Sequence, residues 1–213
     1  MNEWRSPGTS EPRRDPLTDG LLTPENSALL LIDYQPTQVQ SINSIDRAQL
    51  IRNIATTVKL ARTFDIPIVL STVNVATGRN KGTIPALAEL LTGVPSLDGT
   101  SINAWEDVAF RAAVSATARK KLVIAALWTE ACLTFPTLDA LREGFEVFPV
   151  VDAVGGTPVI AHETAITRVT RAGAQPVSIA QLACELQRDW NRTDTVQAFV
   201  DELTEAGIFL KLG

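Results

Sequence analysis

The sequence contains few of the residue types that build common metal sites and disulfide frameworks. Its 213 residues include one histidine, His162, and two cysteines, Cys132 and Cys184. A single histidine excludes Cys₂His₂ fingers and the paired-histidine metal centres of many hydrolases, and no carboxylate cluster suggests another site, so we expect no bound metal. Two cysteines allow at most one disulfide, and we interpret both as free thiols.

The chain also lacks a basic excess and a long apolar run. Lys and Arg total 19 against 24 Asp and Glu, which gives a net charge of −5. Proteins that bind nucleic acid or anionic membranes normally present a basic face, so we expect neither partner. The longest apolar runs, Ala28–Ile32 and Leu122–Trp128, are far shorter than the ~20 residues that cross a bilayer. The polar N-terminus has no apolar stretch like that of a signal peptide, which favours a cytoplasmic location.

The composition and the order of elements predict one α/β domain with two appendages. Apolar residues make up 45% and charged residues 20% of the chain, as in ordinary globular proteins. Residues 1–25 mix Pro, Gly and charge without periodicity, which predicts a flexible N-terminal arm. We expect the main domain over residues 26–190 and a C-terminal helical extension over residues 191–213.

Within the main domain, apolar runs alternate with stretches of helical spacing. The predicted strands are Ala28–Asp33, Ile66–Val73, Lys121–Leu127, Glu146–Val151 and Gln175–Ile179. The predicted helices are Asp46–Phe64, Ile84–Leu91, Trp105–Ala118, Ala131–Glu143, Ala161–Ala172, Ala180–Trp190 and Thr193–Ala206. This alternation is typical of a parallel sheet covered by helices on both faces. In such folds ligands bind beyond the carboxyl ends of the strands.

Two of the predicted strands are followed by side chains that could take part in catalysis. The first strand ends in Asp33, and Cys132 follows the strand Lys121–Leu127 at the start of a helix. A helix N-terminus lowers the pKa of a thiol, and its free N–H groups can bind an oxyanion. An aspartate facing the thiol can accept its proton and later deliver it to a leaving amine.

Each of these two residues also has a plainer interpretation. Cys132 fits the role of a small buried hydrophobe, which is what most free cysteines are. Asp33 directly follows four aliphatic residues, so its carboxylate must be paired, capped or functional.

Five sequence motifs, taken in order, point to one family. They are ALLLIDYQ, SINAWED, LVIAALWTEACLTFPTLDALREGFEVFPVVDAVGG, RAGAQPVS and LACELQRDW. Together they resemble the isochorismatase-like cysteine hydrolases, and most closely the YcaC-type branch. The resemblance runs from about Ser27 to Trp190. Nicotinamidases of this superfamily bind a metal through Asp and His, and the single His162 argues against that branch.

The resemblance implies a fold and a set of site residues. The fold is a three-layer αβα sandwich with a six-stranded parallel sheet and Rossmann-like topology. The implied catalytic residues are Asp33 and Cys132, and the implied oxyanion hole consists of the backbone N–H groups of Trp128 and Cys132. A non-proline cis peptide is expected between Trp128 and Thr129.

The third member of the family triad, a Lys or Arg, has no counterpart in this chain. Relatives often read Asp-Arg-Thr-Ser before the SINAW motif, where this chain has Asp98-Gly99-Thr100-Ser101, so Gly99 occupies the basic position. Loss of the cation should raise the thiol pKa and weaken catalysis. The nearest replacements, Arg79 and Lys81, lie after the second strand, where a solvated surface loop is the plainer interpretation.

Other candidate residues have weaker support. Trp128, Asn103 and Trp105 are candidates for the substrate pocket, although Trp128 also fits core packing, and Asn103 and Trp105 also fit a helix start. We interpret His162 as a cap or packing residue and Cys184 as structural. The chain has neither G-x-G-x-x-G after a strand nor a Walker A motif, so we expect no nucleotide or other cofactor.

Two functions remain open from the sequence. The first is a cofactor-free cysteine hydrolase that cleaves a small amide-like or related C–N bond through a thioester on Cys132, with Asp33 as general acid and base. The second is a catalytically impaired scaffold or ligand-binding protein, because Gly99 replaces the basic residue. In both cases the family resemblance implies a homo-oligomer, with an octamer as one form, and a small molecule as ligand.

Overall fold

The two central strands are built from the continuous apolar runs of the sequence. In a computed structural model, which describes residues 15–209, β1 covers Ser27–Ile32 and β4 covers Lys121–Ala126. Every residue of both strands is buried, and the strands pair in parallel along their whole length. Strands buried on both faces belong to a parallel sheet between two layers of helices.

The other elements complete an alternating α/β order. The remaining strands are β2 (Ile68–Val73), β3 (Ser96–Gly99) and β5 (Glu146–Pro149). The helices are α1 (Pro36–Gln40), α2 (Arg47–Thr63), α3 (Pro85–Ala88), α4 (Val108–Ala116), α5 (Thr134–Arg142), α6 (Val159–Arg171), α7 (Ile179–Gln187) and α8 (Thr193–Glu205). All neighbouring strands are parallel, in the order β3-β2-β1-β4-β5.

The connections place helices on both faces of the sheet. The chain passes from β1 to β2 through α2 and from β4 to β5 through α5, in opposite directions along the sheet. Right-handed crossovers put these two helices on opposite faces. Accordingly, α2 contacts α3, α7 and α8, whereas α5 contacts α6. The predicted three-layer αβα fold is confirmed, and the strand order reverses between β1 and β4.

The sheet has five strands within residues 15–209 rather than the expected six. The predicted strand at Gln175–Ile179 is reduced to a single bridge between Val177 and Val150. Gln175 and Val177 still donate their N–H groups to carbonyls of β5, but Pro149 of β5 has no N–H group to donate back to the Gln175 carbonyl. At the other end, the N–H group of Ile179 donates to the Asp152 carboxylate at 2.9 Å instead of to a strand. The edge strand β3 was not predicted, because its residues are partly exposed and form no apolar run.

Residues 15–25 of the expected arm lie against the domain. Leu22 is fully buried, and its N–H group donates to a carboxylate oxygen of Glu185 at 2.7 Å. The buried ammonium of Lys121 donates to the carbonyls of Asp19, Gly20 and Leu21 at 2.6–3.0 Å. Residues 1–14 and 210–213 lie outside the described residues, so the proposed division at residues 25 and 190 stays a prediction.

Candidate active site

Asp33 and Cys132 lie side by side where the strand order reverses. Asp33 directly follows β1, and Cys132 lies six residues after β4 in the adjacent position of the sheet. Their side chains lie close enough to interact, since each shifts the pKa of the other. Asp33 is 3% exposed and Cys132 is 7% exposed. Ligands of open α/β sheets bind at this kind of reversal.

The backbone around Asp33 holds its carboxylate in a fixed direction. Asp33 has a φ of 62°, a conformation that is uncommon for a residue with a side chain and that is often found at functional sites. Its N–H group donates to the carbonyl of Ser71 at 3.1 Å, and its own carbonyl accepts from the N–H group of Gln35 at 2.8 Å. The Ser71 hydroxyl also lies 3.5 Å from a carboxylate oxygen of Asp33.

Gln35 connects this turn to the next strand. Its side chain is fully buried, and its amide nitrogen donates to the carbonyls of Val73 and Lys81 at 3.0 and 2.6 Å. Its amide oxygen accepts from the N–H group of Val73 at 2.9 Å. Sequence reasoning missed this residue. The available signal was a polar amide two residues after an aspartate that ends an apolar strand.

Cys132 belongs to a short π-helical turn, Thr129–Leu133, that leads into α5. The turn is closed by a hydrogen bond from the N–H group of Leu133 to the carbonyl of Trp128 at 3.1 Å. The Thr134 hydroxyl donates to the carbonyl of Thr129 at 2.7 Å. The backbone N–H groups of Trp128 and Cys132 lie near the sulfur and favour its ionised form. A π-helical turn inserted at a helix end frequently marks a functional site.

The electrostatics of the pair correct one expectation. Burial raises the pKa of the Cys132 thiol, and the negative charge of Asp33 raises it further, while the N–H group of Trp128 opposes this rise. The N–H groups of Trp128 and Cys132 lower the thiol pKa in the expected direction, but burial outweighs them, so the net shift is upward. Burial also raises the pKa of Asp33 from 3.8 to about 7, although its interaction with Cys132 opposes the rise.

The cis peptide lies one bond earlier than expected. The bond between Leu127 and Trp128 is cis, whereas the prediction placed it between Trp128 and Thr129. Leu127 forms an isolated parallel β-bridge with Gly155, and the N–H group of Thr129 donates to the Gly155 carbonyl at 3.0 Å. The π-helical turn begins at Thr129, so the cis bond lies before the residue that precedes this turn. The sequence motif did not show whether the bond before or after Trp128 is the cis one.

Gly99 ends β3 and faces a small cavity that it shares with Asp33. The cavity leaves about 10 Å³ for the centre of a water-sized group. Its lining consists of Asp33, Ser71, Thr72, Val73, Leu97, Gly99, Ser101, Ala104, Asp107 and Phe110, which include no basic side chain. Arg79 and Lys81 are exposed, and neither contributes to the pKa shifts of Asp33 and Cys132. Among the described residues that line this cavity there is therefore no cation.

Asn103 and Trp105 support the site without lining this cavity. The Asn103 side chain accepts from the N–H group of Trp105 at 3.1 Å and donates to Asp139 at 2.7 Å. Trp105 is 4% exposed, and its indole N–H group donates to Glu143 at 2.9 Å. Of the two interpretations left open by the sequence, the structure favours the helix start.

Trp128 and His162 flank the π-helical turn on its far side. The indole of Trp128 is half-buried and donates to the Ser41 hydroxyl at 2.6 Å, outside the lining of the cavity. His162 lies 2.9 Å from the Thr129 hydroxyl through Nδ1, which agrees with a packing role. Desolvation lowers the pKa of His162, although the nearby Glu130 opposes this change. Cys184, interpreted as structural, is exposed on α7.

Neither a metal cluster nor a membrane-crossing helix occurs in the part of the chain that the structure covers. No group of three or more His, Cys, Asp or Glu side chains is placed to hold a metal ion among residues 15–209. Over the same residues, no helix is both long and apolar enough to span a bilayer.

Comparison with known proteins places this arrangement in a family. Residues 27–181 match the model of the isochorismatase domain. The chain is 37% identical over 170 residues to the probable hydrolase YcaC of Escherichia coli K12, covering 79% of this chain and 81% of that protein.

Two solved structures agree with this match. YcaC from Pseudomonas aeruginosa, solved with hexane-2,5-diol and covalent acrylamide, has a TM-score of 0.79 and 32% identity over 89% of this chain and 98% of that one. YcaC of Escherichia coli, described as an octameric hydrolase of unknown specificity, has a TM-score of 0.78 and 32% identity over 89% and 97%. The chain therefore belongs to the isochorismatase-like hydrolase family.

Proposed function

We propose that this protein is a cysteine hydrolase that cleaves a small amide-like or related C–N bond. Cys132 is the nucleophile, and Asp33 is the general acid and base. The observation that carries the proposal is the close approach of the buried thiol and the buried carboxylate at the reversal of strand order. The family membership supports hydrolysis as the class of reaction.

The pKa values determine how the first step proceeds. The thiol pKa is raised, so the resting sulfur is protonated rather than a thiolate. The pKa of Asp33, about 7, lets this carboxylate accept a proton near neutral pH. Asp33 therefore removes the thiol proton as the sulfur attacks the carbonyl carbon. Nucleophile activation by an adjacent base is the usual solution for a thiol with an unfavourable pKa.

In the remaining steps the C–N bond breaks, the thioester is hydrolysed, and Asp33 and Cys132 regain their starting protonation states. The S–C bond forms, and the carbonyl oxygen becomes an oxyanion that accepts from the N–H groups of Trp128 and Cys132. When the C–N bond breaks, Asp33 gives its proton to the leaving amine, and a thioester remains on Cys132. Asp33 then takes a proton from water, the hydroxide attacks the thioester, and the thiol leaves with the proton returned. No step needs a metal or an organic cofactor.

A relative supports the choice of probe. Acrylamide is a neutral electrophile that adds to nucleophilic thiols, and a YcaC structure from Pseudomonas aeruginosa holds it covalently. We expect acrylamide to label Cys132 in this chain. Because the Escherichia coli YcaC is octameric, we also propose that this chain forms a homo-oligomer, with an octamer as the expected form. A monomeric mass in light scattering would contradict the assembly.

A second function is favoured by one specific observation. The cavity beside Asp33 has no basic lining residue, and Gly99 occupies the position at which the family resemblance implies a cation. This supports an impaired member that binds a small molecule or serves as an oligomeric scaffold without turnover.

Mass spectrometry separates the two functions. The Cys184→Ser variant is incubated with a panel of small primary amides and quenched, and its mass is recorded together with the ammonia released. A hydrolase gives an acyl adduct on Cys132 and steady ammonia release, both absent after Cys132→Ser. The scaffold gives neither with any amide, and its Cys132 also resists acrylamide.

A further inference from the structure

Glu130 links the π-helical turn that contains Cys132 to the loop after β5. Its Oε1 accepts from the N–H group and the hydroxyl of Thr157 at 3.0 and 2.6 Å. Its Oε2 is buried and has no hydrogen-bond partner within residues 15–209. Burying a carboxylate oxygen without a partner is unfavourable, so the two bonds to Thr157 and the packing around them have to hold this side chain in place.

The loop after β5 is itself held by the segment that precedes α2. The Gly156 carbonyl accepts from the N–H groups of Asn43 and Ser44 at 3.1 and 3.3 Å, and the Gly156 N–H group donates to the Ser44 hydroxyl at 2.8 Å. A Cβ atom on Gly155 would lie 2.7 Å from Cγ2 of Ile42, so the loop also packs tightly against this segment. The loop therefore gives a fixed support to the residues that bind it.

The π-helical turn binds this support through two successive residues. The N–H group of Thr129 donates to a carbonyl of the loop at 3.0 Å, and Glu130 accepts from the loop through its side chain. The N–H groups of Trp128 and Cys132, which we propose as the oxyanion donors, lie on either side of these two residues along the chain. Anchoring the residues between the donors fixes the distance and the direction from one donor to the other.

We propose that Glu130 is a positioning residue for the reaction. Its bonds to Thr157 hold the π-helical turn, so that the Cys132 thiol and the two N–H donors keep the geometry needed for attack and for binding of the oxyanion. Glu130 acts through the turn and does not contact the substrate. This inference rests on the proposed hydrolase function, because the donors matter for turnover only if an oxyanion forms beside them.

The first test compares two substitutions of Glu130 with the panel of amides. Glu130→Ala should lower kcat by roughly 10–100-fold and leave KM within about twofold, because misplaced donors weaken the transition state more than substrate binding. Glu130→Gln keeps an oxygen that accepts from Thr157, so kcat should stay within about threefold of the unaltered protein. Equal losses in both variants would overturn the proposal, since the charge rather than the bond would then matter. Full kcat in Glu130→Ala would overturn it and leave the hydrolase function intact.

Thr157→Val tests the same contact from the other side. It removes the hydroxyl donor and keeps the N–H group, so kcat should fall less than in Glu130→Ala. In the double variant kcat should be no lower than in Glu130→Ala alone, because both substitutions act through one contact. Losses that multiply would overturn the proposal.

A second Thr–Glu hydrogen bond provides the matched control. Glu202 of α8 accepts from the Thr63 hydroxyl of α2 at 2.6 Å, and its Oε2 is likewise buried without a partner in the described part of the chain. Thr63 lies just before β2, at the end of the sheet opposite to the carboxyl ends of the strands. Glu202→Ala should lower the urea midpoint about as much as Glu130→Ala and leave kcat unchanged. An equal fall of kcat in both variants would overturn the proposal, since lost stability alone would explain it.

Hydrogen–deuterium exchange tests the proposal without turnover. The amides of residues 128–133 should exchange about tenfold faster or more in Glu130→Ala, whereas Glu130→Gln and Glu202→Ala should keep the rate of the unaltered protein. Unchanged exchange in Glu130→Ala would overturn the proposal whether or not amides are hydrolysed. If exchange is faster but the unaltered protein hydrolyses no amide, the hydrolase function fails and the positioning of the turn by Glu130 stands.

Discussion

The two sides of the candidate site differ in packing and hydrogen bonding. We call the side of β1 and β4 the built side and the side of β2 and β3 the open side. On the side of β1 and β4, the thiol and the carboxylate are buried and held by backbone hydrogen bonds from a tight turn and a π-helical turn. On the side of β2 and β3, Gly99 leaves space and the loop with Arg79 and Lys81 is exposed. Asp33 and Cys132 are thus held by the core, whereas the cavity next to Asp33 has no basic lining residue.

The hydrogen bonds of the two sides show the same contrast. Asp98, on the open side, uses its carboxylate to accept from the N–H groups of Val75 and Ala76 at 3.1 and 2.8 Å. These bonds hold the loop after β2 instead of facing a ligand. Asp33, on the built side, directs its carboxylate at Cys132. The carboxylate of Asp98 therefore serves the loop after β2, whereas that of Asp33 is available to Cys132.

Removing the nucleophile should give the largest effect and tests the built side directly. We expect Cys132→Ser to reduce amide hydrolysis by at least about 10³-fold, because a hydroxyl is far less nucleophilic than a thiol beside the same base. Ammonia release is the measurement. Cys184→Ser, which removes an exposed thiol on α7, should keep full activity. Equal loss in both variants would contradict the assignment of Cys132.

Neutralising the base should separate activity from stability. Asp33→Asn should lower hydrolysis by roughly 10²–10³-fold, since general acid and base catalysis contributes about that much. The same variant should gain stability at alkaline pH. The pKa of Asp33 is raised to about 7, so its stabilising contribution is complete at low pH and is lost as pH rises through 7.

Urea unfolding at two pH values measures this second effect. The stability advantage of Asp33→Asn over the unaltered protein should be greater at pH 8 than at pH 6 by on the order of 1 kcal/mol. An advantage that is equal at both pH values would mean that Asp33 does not titrate between them.

The packing of the two sides can also be compared by placing a methyl group on a glycine of each and measuring the unfolding free energy. A Cβ atom on Gly156 would lie 2.7 Å from Oε2 of Glu130 and 2.9 Å from Cβ of His162. We expect Gly156→Ala to cost about 1–3 kcal/mol of unfolding free energy, as other overpacking changes do. Gly82, in the open loop, has no atom within 4 Å of its Cβ position. Gly82→Ala should change stability by less than about 1 kcal/mol in urea unfolding.

Placing an arginine at position 99 on the open side should give the smallest effect, measured as the rate of Cys132 alkylation. Gly99→Arg places a cation beside the cavity, and the Asp107 carboxylate has to shift by a few tenths of an ångström to admit it. We expect Cys132 alkylation to become faster by up to roughly tenfold, because a nearby cation stabilises both the thiolate and the ionised Asp33.

Gly82→Arg adds the same charge to the exposed loop and provides the matched control. It should leave the alkylation rate unchanged, since its Cβ position has no neighbour and it does not line the cavity. Equal acceleration in both variants would show that net charge, rather than position 99, is responsible.

The sequence predicted the built side well for a physical reason. A parallel strand buried on both faces must be a continuous apolar run, and a carboxylate directly after such a run has to be satisfied at the strand end. That argument identified Asp33, and the thiol after the next central strand identified Cys132. The family motifs added the order of the elements and the N–H donors of Trp128 and Cys132.

The sequence could not predict what depends on distant contacts. Edge strand β3 is partly exposed and has no apolar run. The predicted strand at Gln175–Ile179 is reduced to one bridge, because Pro149 on the neighbouring strand has no N–H group to donate to Gln175. The direction of the thiol pKa depends on burial, which local sequence does not report. Asp107 looks like an ordinary helix cap in the sequence, and only the fold places its second oxygen beside Gly99.

The most direct measurement is the pH dependence of Cys132 alkylation by iodoacetamide, compared with and without Asp33→Asn in the Cys184→Ser background. If Asp33 is the base for the thiol, the rate rises in a step centred near pH 7, the pKa of Asp33, and Asp33→Asn removes this step. Superimposable profiles in the two proteins would contradict the assignment of Asp33 as the base.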